Sequence, residues 1–244
     1  MFCVVGIRPL IGCEKVPSSV SLGAIQLLWQ LHSRLEVLFK DSLEPLADAD
    51  APLLWESCWT PLLAALADGV NDPRKEVMSQ SFNTLLDCLN DQHIHVAPAI
   101  IVSSVICDSF LPCFSKLRAT LQVQSIKAIG SRSVIENDGI EKLLITGLHC
   151  LSKLVSDNFG RISQHLEKFL LALLNFSQNM FIIDTAVEGN PSIQLVENVA
   201  FDCLTVIMVQ CRQSKVADYK EELARVIDEI SNTIASIKER SAHL

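Results

Sequence analysis

Residues 53–89 read LLWESCWTPLLAALADGVNDPRKEVMSQSFNTLLDCL, and the spacing of their apolar positions decides the fold. Trp55, Trp59, Leu62 and Leu66 recur at steps of four, three and four, which places them on one face of a helix. Met78, Phe82, Leu85 and Leu89 repeat the same rhythm and predict a second helix. Between them lies Gly69-Val70-Asn71-Asp72-Pro73. Gly69 suits a left-handed cap at the end of the first helix. Asp72 suits an N-cap, with Pro73 at the first helical position, where a missing N–H costs nothing. Pro61 removes a backbone donor and is expected to kink the first helix or restart it at Thr60. Each helix leaves an apolar stripe that it cannot bury alone. A pair buries one stripe and offers another to the next pair, which is the logic of a helical solenoid.

Outward from this pair the same period recurs. Residues 1–17 have no clear period and fit the tail of a preceding helix in a longer chain. A helix is predicted from Ser18 or Ser19 to about Lys40, with Ala24, Leu28, Leu31, Leu35 and Leu38 on one face; residues 41–50 follow as an acidic linker. After a polar turn over 91–95, Pro98 opens a helix whose face is Val102, Ile106, Phe110, Cys113 and Leu117, bent at Pro112. Residues 119–137, with Gly130-Ser131-Arg132-Ser133, read as a linker and the main break of the chain. Asp138 is expected to cap a helix with face Ile140, Leu144, Leu148, Leu151 and Val155, ending near Asn158-Phe159-Gly160. The next face is Ile162, Leu166, Phe169, Leu173, Phe176 and Met180, before a turn at 184–191. Residues 192–211 are apolar nearly all round and are expected to be deeply buried. Residues 216–240 carry one seam, Leu223, Ile227, Ile230, Ile234 and Ile237, inside a charged exterior, as a terminal cap docked on 192–211 requires.

The expectation is therefore an all-α chain, a HEAT/armadillo-like helical-repeat solenoid of about eight helices, since successive pairs begin roughly 40 residues apart. Its organisation is an irregular segment 1–17, repeats over 18–118, a linker at 119–137, and further repeats with a capping helix over 138–244.

Composition narrows the function classes. The 244 residues are 49% hydrophobic, enough for a sizeable core, while nine glycines and one tyrosine argue against a β-sandwich. A net charge of −8 and pI near 5.2 leave no basic footprint for nucleic acid. Nine cysteines, an odd number without a CxxC, fit a reducing compartment in which Cys58, Cys88, Cys107, Cys150, Cys203 and Cys211 act as small hydrophobes. The sequon at Asn175 falls inside an apolar helical stretch. No basic n-region begins the chain, and no run reaches the ~18 uninterrupted apolar residues of a membrane span. A soluble protein with only peripheral membrane contact is expected.

The stretch around the pair also carries a family resemblance. Trp59-Thr60-Pro61-Leu62-Leu63, then Asp72-Pro73-Arg74-Lys75-Glu76-Val77, then Ser81-Phe82 and Leu85-Leu86 resemble a "WxPLL … DxRxxVRxxAlxxLf" pattern. That pattern belongs to HEAT-like regions downstream of the catalytic domain in the large Arf guanine-nucleotide exchange factors, the brefeldin-A-inhibited and Golgi-specific group. Val20-Ser21-Leu22 with Ala24-Ile25-Gln26-Leu27-Leu28 resembles the helix before it, and Phe110-Leu111-Pro112-Cys113-Phe114 the segment after it. Met78 departs from the family's arginine, Lys75 and Glu76 from its small residue and acid, and the Asp-x-Arg…Val core is common to HEAT repeats at large. The resemblance implies a regulatory or scaffolding role in vesicle-mediated transport, cytoplasmic and peripheral to Golgi or endosomal membranes. Its implied partners are small Arf-type GTPases or other domains of the same exchange factor. Exchange in that family resides in a separate helical domain with an invasive glutamate in a loop; this sequence has no counterpart, so no catalytic activity is expected.

Other constellations are thin. Cys88 with His93 and His95 has part of a metal-ligand set but no second cluster to close it, and reads as a polar turn. His149 and Cys150 are neighbours on a helix and point about 100° apart, too far for a nucleophile and its base. Glu136, Asp138 and Glu141 surround a helix start, where acids stabilise the dipole. Trp55, Trp59 and Phe82 read as core. No catalytic, cofactor-binding or metal-binding residue, and no cofactor, is expected. Two rival readings are an unrelated HEAT-type adaptor or transport scaffold, and an all-helical enzyme whose site is not legible.

Overall fold

The computed structural model describes residues 2–43, 55–91, 94, 97–131, 138–181, 190–214 and 221–242. About 90% of these are helical and none is in a strand. The chain divides into two compact units, Met1–Cys113 and Phe114–Leu244.

The first unit opens with α1 (Phe2–Ile7) and a 3-10 turn at Arg8–Leu10. Gly12 then takes a φ of 78°, a left-handed conformation that only glycine adopts without strain. Helix α2 (Ser18–Leu43) follows, burying Ala24, Ile25, Leu28 and His32 on one face. The organising pair is α3 (Thr60–Gly69) and α4 (Lys75–Asn90), packed on each other, with α2 against α4. All eight apolar positions that the 4-3-4 spacing selected, Trp55 to Leu89, are buried.

Pro61 restarts the helix as expected, and the device is specific. Trp55–Trp59 forms a wide π-helical turn and α3 begins at Thr60. A proline ring collides with the carbonyl four residues back, and a wider turn moves that carbonyl away. Pro112 receives the same treatment. Helix α5 (Ala99–Ser104) runs into a π turn at Val105–Phe110, where the Leu111 N–H donates to the Ile106 carbonyl five residues back. Helix α6 (Leu111–Ser131) continues beyond it.

Two expectations about the turn of the pair are corrected. Gly69 is not a left-handed cap; it lies inside α3, and the capping residue Val70 is still right-handed at φ −63°. Glycine is required there for space, since a Cβ would sit 2.2 Å from Ser81 Oγ and 2.6 Å from Ile11 Cγ2. Asp72 is not the N-cap of α4 either. Arg74 holds that position in an extended conformation, and Asp72 accepts the Arg74 N–H at 2.9 Å.

In the second unit, α6 stays helical to Ser131 through most of the stretch read as a linker. Phe114, Leu117 and Leu121 are buried, and Ser125 donates to the Leu121 carbonyl, so its polarity is satisfied within the helix. Residues 132–137 lie outside the described residues. Helix α7 (Asp138–Ile162) begins at Asp138 and ends just beyond Gly160, close to the expected stop. The buried Asn158 amide donates to the Leu154 carbonyl instead of opening a turn. The break comes at a 3-10 turn, Ser163–His165, after which α8 (Leu166–Met180) carries its face Leu166, Phe169, Leu173, Phe176 and Met180, all buried. The turn expected at 184–191 lies mostly outside the described residues. Its last part caps α9 (Pro191–Gln213): Asn190 accepts the N–H groups of Ser192 and Ile193 at 3.0 and 3.3 Å, with Pro191 at the first position. Helix α9 packs along α7, and α10 (Glu221–Ala242) packs on both α8 and α9 through Ile227 and Ile230, which are buried.

The expectation for α9 is half wrong. Val196, Leu204, Ile207 and Met208 are buried, but Leu195, Val206 and Val209 are 44%, 43% and 45% exposed. The membrane-length expectation changes too. Two helices, Ala99–Lys127 and Pro191–Gln213, are long and apolar enough by composition to cross a bilayer. The first is mostly buried, as a core helix is, whereas only 39% of the most apolar window of the second is.

Candidate functional site

Some of the polar groups buried in the first unit, Ser21, His32 and Asp72, belong to two clamps. In one, the Asp72 side chain, wholly buried, accepts from Arg74 Nε at 2.7 Å and Nη2 at 2.6 Å, besides the Arg74 N–H. The guanidinium then reaches back some sixty residues. It donates to the carbonyls of Val16 and Cys13 and to Ser21 Oγ, which itself donates to the Leu10 carbonyl. One arginine thus ties the segment before α2, and α2 itself, to the α3–α4 turn. Its hydrogen bonds hold the Asp72 carboxyl below the ordinary carboxylate range against the opposing effect of burial, and the carboxylate raises Arg74 in return. An exposed pair, Arg8 with Asp68 at 2.6 Å, lies between the same two segments.

The second clamp joins α2, the first π turn and the end of α4. Trp59 Nε1–H donates to His32 Nδ1 at 3.2 Å, and His32 Nε2 lies 3.4 Å from Asp91 Oδ2. The imidazole is fully buried and stacks on Trp29 at 5.5 Å; Trp55 meets Trp59 edge-on at 5.1 Å. Because Nδ1 accepts the indole proton, the neutral ring carries its own proton on Nε2, facing the carboxylate. Sequence reading missed this clamp. His32 and Asp91 are 59 positions apart, and only packing of α2 on α4 brings them together.

The constellations raised from sequence separate as follows. Cys88 is buried within α4, and desolvation raises its thiol well above the ordinary range, so it is a poor source of the thiolate a metal needs. His93 and His95 lie outside the described residues. No group of three or more His, Cys, Asp or Glu able to hold a metal occurs among the described residues. Cys150 is buried while His149 faces outward. Burial pushes the Cys203 thiol up to about 12, despite a Ser152 hydrogen bond, and that of Cys211 to about 11. Trp55, Trp59 and Phe82 are core residues, Phe82 stacking on Phe110 at 6.2 Å. Asp138 opens α7, and Glu136 lies outside the described residues.

The second unit is pinned by Arg118 of α6, also missed from sequence. Its Nε donates to the Met180 carbonyl at 2.7 Å, at the C-terminal end of α8, and Nη2 donates to Glu197 Oε1 of α9 at 2.8 Å. Its side chain is only 4% exposed. The outward face of α9 is unlike these clamps: Leu195, Val206 and Val209 are open to solvent, with the exposed Asp202 among them.

Comparison with protein-family models finds none that matches the chain, and comparisons with curated proteins and with solved structures likewise give no match.

Proposed function

We propose that this chain is a helical-repeat scaffold, a regulatory segment of a large Arf guanine-nucleotide exchange factor that acts through protein contacts on Golgi or endosomal membranes. The observation that carries the reading is that the residues bearing the resemblance are those with structural work in the α3–α4 pair. Trp59 is the buried donor to His32, Pro61 restarts α3 after the π turn, and Asp72 with Arg74 forms the clamp. A motif whose residues have such roles marks a repeat type and not a chemistry, which fits a scaffold. The consecutive helices α3 and α4, packed on each other, support the HEAT-like form of that scaffold.

The role implied is recruitment or restraint of a catalytic domain, with Arf-type GTPases or the exchange domain itself as partners. Titration calorimetry of the purified chain against an Arf GTPase in its GDP and GTP forms, and against an exchange domain of this group, tests it. Binding to one of these, with no acceleration of GDP release by the chain alone, is the expected result. Binding to none of them removes the exchange-factor assignment. Release at the rate of an exchange domain overturns the regulatory role.

A further inference from the structure

We propose that the outward face of α9 docks an amphipathic helix of another protein, one whose apolar seam carries a lysine or arginine at its centre. Leu195, Val199, Asp202, Val206 and Val209 follow one another at steps of four, three, four and three. That spacing is the seam by which one helix receives another, knobs into holes. Val199 is half-buried and the other four are exposed, so the seam points away from the contact that α9 makes with α7. The opposite face, Val196, Cys203, Leu204 and Ile207, is the one spent on the core.

The charge on this face chooses the partner. Asp202 stands at the middle of the seam, two steps from either end. Asn198, one turn before it and also exposed, is neutral, while Glu197, the other acid of α9, is spent on Arg118. Arg212, the basic residue of α9, is engaged elsewhere, donating to Ser231 Oγ of α10 at 2.9 Å. An all-apolar helix laid on this seam would strip water from Asp202 and return nothing. A helix with a cation at the facing position gives the carboxylate a partner and fixes the register, as single polar residues at seam positions do in coiled coils. The same carboxylate argues against the other occupants. A second copy docked about a two-fold axis at the seam centre would set Asp202 against Asp202. An anionic lipid surface would meet a like charge at the centre of the contact.

The test uses the full chain and two synthetic helical peptides of about 18 residues, five turns each. Both carry leucine at the 4-3-4-3 seam positions; one has lysine at the central position and the other glutamate. Fluorescence anisotropy should show the lysine peptide binding at least about tenfold more tightly than the glutamate peptide, the size of one useful ion pair. Asp202→Lys should reverse that preference, and Val206→Asp should abolish binding of both. Since these side chains are exposed, the variants should melt with the parent. Should Val206→Asp unfold the chain, the reversal by Asp202→Lys still decides. Equal binding of the two peptides, no binding of either, or a preference untouched by Asp202→Lys overturns the proposal. So does a dimer in sedimentation that Val206→Asp dissolves, which would assign the face to a second copy. Binding to phosphatidylserine vesicles that Val206→Asp removes would assign it to lipid and overturn the proposal equally.

Discussion

Replacing Arg118 with methionine keeps the length and apolar stem of the side chain and removes only its charge and donors. What remains is a Glu197 carboxylate facing the place of its partner, and a Met180 carbonyl at the end of α8 without the Nε–H that reached it at 2.7 Å. Breaking a buried ion pair from one side costs ~3–5 kcal/mol, because the surviving charge stays where water reaches it poorly. Glu197 keeps a 22% exposed edge, which places the expected loss at the lower end, about 3 kcal/mol. For a chain of this size that corresponds to a fall in Tm of roughly 6–12 °C. Arg118→Lys should lose nearly as much, since a single ammonium cannot replace a fork that spans Met180 and Glu197. Arg118→Met combined with Glu197→Leu should recover about 2 kcal/mol of the loss, leaving the cost of the carbonyl, about 1 kcal/mol. Thermal melts followed by far-UV circular dichroism measure the parent, these three variants and Glu197→Leu alone. If Arg118→Met melts within about a degree of the parent, or if the second substitution adds its own full loss to the first, the node is not a coupled buried pair and the reasoning fails.

Gly69→Ala should destabilise by ~1–3 kcal/mol, an overpacking cost, since the new methyl would lie 2.2 Å from Ser81 Oγ; adding Ser81→Gly should restore part of it, and equal melting of parent and single variant would contradict the close approach. Trp59→Phe keeps a ring in the core but leaves His32 Nδ1 without its donor, so a loss of ~1–3 kcal/mol is expected in urea titrations beyond the change in size, and His32→Phe in the same background should narrow the gap. Asp72 is held below its ordinary range in the folded state, so the unfolded chain takes up its proton first as pH falls. Its contribution is therefore whole above the usual carboxylate pKa and is lost as pH drops through the lowered folded value; Asp72→Asn should flatten that part of the acid melting profile, and an unchanged profile would remove Asp72 from it. Cys203 and Cys211, raised by burial to about 12 and 11, should be alkylated by iodoacetamide at pH 8 only as fast as the chain opens, so labelling that keeps pace with a model thiol would contradict their burial.

Helix existence was legible in the sequence because apolar periodicity is a local property. The faces through Trp55 to Leu89, Val102 to Leu117, Ile140 to Val155 and Ile162 to Met180 needed only a period near 3.6 to be read, and their side chains are buried. The restart at Pro61 was legible for the same reason: the missing N–H and the ring clash belong to the residue itself. Local rules failed where two segments far apart in the chain compete for the same space or the same donor. Gly69 looked like a cap because glycines end helices, but its role is set by Ser81 and Ile11 crossing it. Asp72 looked like an N-cap, but Arg74 turns its carboxylate into an anchor for residues near 13 and 16. The clamp of His32 with Trp59 and Asp91, the pinning of three helices by Arg118, and the outward seam of α9 have no local signature. Composition could say that α9 is apolar nearly all round; only the number of neighbouring helices available to cover it decided which side meets solvent.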